Sequence, residues 1–186
     1  MNKKPDNDVK IAQLGQTPKP EDSLGALDIN FINTQHKNGN IKKARRLGTL
    51  LSAEIFAKNP QSMIGSADEP EGIAAQRRIL FVFAIDTGID LFCPNHLVAA
   101  AAKSEFFDSL MQNSPEAYDE ILDSPVLSAY ILQRRSKGGE QDKVGRAFAA
   151  QLHKEDDSLY IELGQTLYTN FIDFIKEKID MLDFEK

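Results

Sequence analysis

The densest apolar stretch of the chain runs from Ile79 to Phe92, and its apolar positions at 79–83, 85, 89, 91 and 92 point every way around a helix. A helix that is apolar on all sides belongs inside a protein, so this segment is expected at the centre of the fold. Phe and Ile suit strands as well, and periodicity alone does not decide between the two. The left flank does. Asp68-Glu69-Pro70-Glu71 reads as a helix start, with Asp68 as cap, proline in the first turn and Glu71 reaching back as in a capping box. Pro94 closes the element, because it disfavours helical geometry at Cys93 and lacks a backbone donor. The pattern predicts one buried helix over about 69–92. It does not span a membrane. Its longest unbroken apolar run, Ile79 to Ile85, falls well short of the roughly 20 residues required. Asp86 and Asp90 would each add about 2.5–3.5 kcal/mol at a bilayer centre.

Helical periodicity recurs on both sides. Ile41, Ala44, Leu47, Gly48, Leu51 and Ile55 form the inward stripe of a helix over 41–58, ended by Asn59-Pro60. Asn95 caps a helix from His96 to about Met111 or Gln112, whose four alanines, 99–102, let a neighbour approach closely. Two similar starts follow, Ser114-Pro115 and Ser124-Pro125, each a capping serine with proline at the first helical position. They predict a short helix and a second one running to about Ser136. A helix over 142–154 places Val144, Ala147, Phe148 and Leu152 inward. The last, opened by Asp157 or Ser158 and running to about Leu182, carries Tyr160, Leu163, Leu167, Phe171, Phe174, Ile175, Ile179 and Leu182 on one stripe. No segment shows strand alternation. The expected fold is all-α, an irregular or orthogonal bundle of six to seven helices around the 69–92 helix.

Residues 1–38 differ. Pro5, Pro18 and Pro20 punctuate a polar stretch with five Lys against five Asp/Glu. The expectation is an N-terminal arm or linker, partly disordered when alone, in which Ser23 to Asn33 forms a short helix or an extended docking segment. Asn38-Gly39-Asn40 then turns the chain into a single helical domain over 39–186.

Composition narrows the classes. Hydrophobic residues at 41% and charged residues at 27% are ordinary for a globular domain with a real core. A net charge of −6 disfavours non-specific nucleic-acid binding by the molecule as a whole. The single cysteine, Cys93, excludes an internal disulfide and a Cys-rich zinc site and suits a reducing compartment, so the expected location is cytoplasmic. No apolar core of a signal peptide follows Met1.

Candidate chemistry is sparse. Asp86 and Asp90, four apart, share one helix face, where they either chelate a divalent metal or receive Lys or Arg from a neighbour. Paired carboxylates on a buried helix call for partners or a raised pKa. A metal would need a third ligand such as Glu54, His96 or Glu105, and no Glu-x-x-His motif supplies one. Lys42, Lys43, Arg45 and Arg46 crowd the first turns of their helix, the end that prefers anions. With Arg77 and Arg78 they form a candidate anion-binding set; the plainer reading is a solvated face answered by acidic partners. Arg134-Arg135-Ser136-Lys137-Gly138-Gly139 offers a phosphate-cradling segment, but no Gly-Lys-Ser/Thr follows, and Arg with Gly is also how helices end. Cys93 and His96 are raw material for a nucleophile only if they face one another.

Two readings of function remain. One is a non-enzymatic interaction module, in which a groove beside the central helix or the 1–38 arm binds a protein partner or a second copy. The other is a small metal- or phosphate-dependent enzyme using Asp86 and Asp90. No cofactor is predicted beyond a candidate divalent metal. The enzyme requires these groups to converge on one pocket, and the module requires exposed apolar surface.

Overall fold

A computed structural model of the chain describes residues 20–55, 71–134 and 140–185. The described residues are all-helical, with eight helices in chain order. These are α1 (Pro20–Lys37), α2 (Asn40–Ile55), α3 (Glu71–Phe92), α4 (His96–Asn113), α5 (Pro115–Leu122), α6 (Pro125–Arg134), α7 (Glu140–Gln151) and α8 (Ser158–Asp180). The count exceeds the expected six to seven because residues 20–37 form a full helix. Weak apolar periodicity there had left an extended arm open. The chain divides between Thr34 and Gln35 into two units. In the first, the described residues 20–34 are helical, and Thr34 Oγ1 donates to the carbonyl of Asn30 at 2.9 Å.

In the second unit α3 is the central element. It packs against α4, α6, α7 and α8, while α2 lies on α4 and α7 on α8. Residues 79–85 of α3 are all buried, as are Thr87, Gly88 and Ile89. Its last turn differs from expectation. Leu91 is 61% exposed, while Phe92 and Cys93 next to it pack against the core. Aromatic rings fill the layer between α3 and α8. Phe83 stacks between Tyr130 at 5.3 Å and Tyr168 at 5.8 Å, and Phe81 meets Phe171 edge-on at 4.9 Å.

The stripe anticipated for α2 is buried in full: Ile41, Ala44, Leu47, Gly48, Leu51 and Ile55. Its Gly48 faces α4, where Ala99 and Ala102 are buried. Asn95 caps α4 by accepting from the amides of Leu97 and Val98 at 3.1 and 3.0 Å. Asp157 does the same for α8 through Leu159. Ser124 accepts from the Val126 amide at 3.2 Å, but Ser114 makes no side-chain cap. Its backbone amide is instead drawn into the end of α4, bonded to the Leu110 carbonyl, and Pro115 alone sets the start of α5. The proposed starts and stops at Asp68–Pro70 and Asn59-Pro60 lie outside the described residues, as do residues 135–139 of the candidate phosphate segment.

A buried amide cluster ties three junctions together. Gly39, at φ +79°, occupies the turn before α2 in a conformation that favours glycine. Next to it, fully buried Asn40 donates to Gln35 Oε1 at 2.8 Å and to the carbonyl of Glu185 at 2.7 Å, and accepts from the Glu185 amide at 3.0 Å. Gln35 Oε1 also accepts from Asn95 at 3.2 Å. Three carboxamides thus join the α1–α2 turn, the α3–α4 turn and the backbone of residue 185.

Candidate functional site

The carboxylates of Asp86 and Asp90 are one helical turn apart near the end of α3, and the cation that answers them comes from α4. Lys103 Nζ lies 2.6 Å from Asp86 Oδ1 and 2.9 Å from Asp90 Oδ2. The three side chains are 23–38% exposed, so the cluster sits at the rim of the core, neither dry nor fully solvated. A lysine is thus one answer to the paired carboxylates, its ammonium within hydrogen-bonding distance of both. A divalent cation would first have to displace it. Among the described residues no group of three or more His, Cys, Asp or Glu is placed to hold a metal. Glu105 accepts from Thr49 of α2 at 3.3 Å, and His96 is exposed and already engaged.

Cys93 adjoins this cluster. Burial pushes its thiol up to about 12; the Asp90 carboxylate adds to the shift and Lys103 opposes it. A thiol held that high is protonated at neutral pH and is a poor nucleophile.

The six cations of the anion-binding reading divide among three settings. Arg77 and Arg78 are half-buried on α3 and both engaged. Lys43 turns to the backbone and donates to the Asp183 carbonyl. Lys42, Arg45 and Arg46 are exposed on α2, and no ion pair among the described residues involves them. No acidic residue stands in the first turn of α2 either, so the positive end of this helix dipole carries uncompensated positive charge.

Cavities add little. A polar cleft of about 570 Å³ is lined by six consecutive residues, His153 to Ser158. It is the surface of the α7–α8 turn rather than a place where separate elements bring groups together. Sequence reasoning missed Lys103, although a signal existed. It is the sole Lys or Arg in α4, and it lies nearly as far past Pro94 as Asp86 lies before it. Compared with known families, curated proteins and solved structures, the chain gives no match.

Proposed function

We propose that this protein is a non-enzymatic interaction module that binds a protein partner through the helical part of its 1–38 arm. One observation carries the reading. Ile29, Phe31 and Ile32, three large apolar residues within one turn of α1, are 61%, 39% and 40% exposed. Elsewhere among the described residues the exposed large apolar side chains number at most two per helix, such as Leu50 on α2 and Leu159 on α8, which is normal for any surface. Ile29 and Ile32, at i and i+3, share one face of α1, the spacing with which a helix enters a partner's groove. The enzyme reading has less support, since Lys103 bridges its two carboxylates and its cations do not share one setting.

The test is site-specific photo-cross-linking from position 30 or 33 in the full chain. The expected result is a discrete cross-linked protein product that disappears with Ile29→Ser and Ile32→Ser and persists with Leu159→Ser. A product unaffected by the α1 changes would send the search for the binding surface elsewhere.

A further inference from the structure

Beyond α8 the chain runs to the start of α2, and its side chains alternate. Leu182 and Phe184 pack against the core, whereas Asp183 and Glu185 are exposed. Two side chains of α2 bond this segment. Lys43 donates to the Asp183 carbonyl. Asn40 holds both backbone groups of Glu185, donating to the carbonyl at 2.7 Å and accepting from the amide at 3.0 Å. Asp183 makes the bend at φ +48°, a left-handed conformation that a residue with a Cβ keeps when its surroundings hold it there.

The receiving end depends on what it receives. Asn40 is fully buried, and every bond of its carboxamide involves Glu185 except one, the donation to Gln35 at 2.8 Å. With the segment lifted away, Oδ1 would lose the donor that it now has and Nδ2 would keep one acceptor of two. A buried carboxamide stripped in this way is costly, so a state with the segment gone and Asn40 still dry is sparsely populated. Water has to reach Asn40 as the segment leaves, and the turn at Asn38–Asn40 has to open to admit it.

We propose that Leu182–Glu185 is a releasable strap with two states. In one it is docked and the Asn40 carboxamide is dry; in the other it is free, the carboxamide is hydrated and the turn before α2 is open. Release of the strap and opening of the turn are one transition, which couples positions 145 apart in the chain. This transition precedes unfolding, because the strap rests on two half-buried side chains and a few bonds, while residues 79–85 of α3 are buried without a break.

The experiment is native-state hydrogen exchange of the full chain, read amide by amide by NMR where reclosing outruns exchange. Three amides report. Glu185 donates to Asn40, Asn40 donates to Asn38 Oδ1 at 3.1 Å, and Ala84 lies in the buried centre of α3. Glu185 and Asn40 are expected to share one opening constant within about threefold, at least about tenfold above that of Ala84. Phe184→Ala should raise both by a common factor with the helical circular dichroism unchanged. Faster opening at Glu185 than at Asn40 overturns the proposal, since the segment then frays while the carboxamide stays dry. Faster opening at Asn40 overturns it as well, because the turn then opens beneath a docked segment. If both amides match Ala84, the segment is part of the core and not a strap. A rise confined to Glu185 in Phe184→Ala overturns the coupling of the two events.

Discussion

Gly48 of α2 stands so close to Ala102 of α4 that a Cβ at position 48 would lie 2.5 Å from the Ala102 carbonyl oxygen and 2.6 Å from the Phe106 amide nitrogen. Both atoms are backbone inside a helix and cannot swing aside. Gly48→Ala should therefore force α2 away from α4 and destabilise the protein by about 1–3 kcal/mol, even though alanine favours helix by about 1 kcal/mol. Gly72→Ala is the control. A Cβ there meets nothing within 4 Å, so the change should be neutral or stabilising by up to about 1 kcal/mol. Urea unfolding of the two variants, followed by circular dichroism, compares them directly.

Lys103 offsets part of the cost of holding Asp86 and Asp90 one helical turn apart. Lys103→Ala should lower stability by about 1–2 kcal/mol, and further Asp86→Asn and Asp90→Asn changes should recover most of it, because two adjacent carboxylates without the ammonium repel. The same variant separates the two readings of the pair. Mn²⁺ or Mg²⁺ is expected to leave the wild-type melting temperature unchanged and to raise that of Lys103→Ala. A rise in wild type that needs Asp86 and Asp90 would favour the metal enzyme. A ligand at 100 times its dissociation constant adds about 2.7 kcal/mol, enough to see easily.

Tyr130 is fully buried with its ring stacked on Phe83, yet its hydroxyl has no hydrogen-bond partner among the described residues. An unpaired buried hydroxyl is a liability of about 1–3 kcal/mol, offset in part by packing. Tyr130→Phe should be neutral or stabilising by up to about 1 kcal/mol in urea titration. A loss larger than that would mean the hydroxyl is paired in solution.

Alkaline pH offers a further check. The Cys93 thiol is raised from 9.0 to about 12, so the folded protein holds this proton where the unfolded chain releases it. Its contribution to stability is present below pH 9 and falls as pH rises from 9.0 to about 12. Tyr130, raised by burial, pushes in the same direction. Cys93→Ala should remove the first contribution, so wild type should lose stability more steeply than the variant across that window. Parallel curves would place Cys93 in a wetter setting than the fold gives it.

The fold was legible where burial is one-sided. In α2 a six-residue stripe names the buried face, since only one set of positions puts all the apolar groups together. It was less legible where tertiary neighbours decide. Leu91 reads as core from its chemistry, yet it is exposed while its neighbours Phe92 and Cys93 turn to the core. Ser114 reads as a cap, but its backbone is held by the preceding helix. The site shows the same divide. Spacing alone put Asp86 and Asp90 on one face, whereas their shared cation depended on how α3 turns into α4. Asn40 was legible only as a turn residue. Its grip on Glu185 joins positions 145 apart, and no local pattern carries that information.

That grip also has a timetable. Asn40 leaves the ribosome 145 residues before the backbone it binds, and synthesis at about 5–20 residues per second makes that roughly 7–30 s. Through that interval the amide cluster of Gln35, Asn40 and Asn95 is one member short, and water must satisfy what Glu185 later takes over. The junctions around it can close fully only when synthesis has reached residue 185. The closure of these junctions therefore waits on backbone far downstream, and this region settles late relative to its own synthesis.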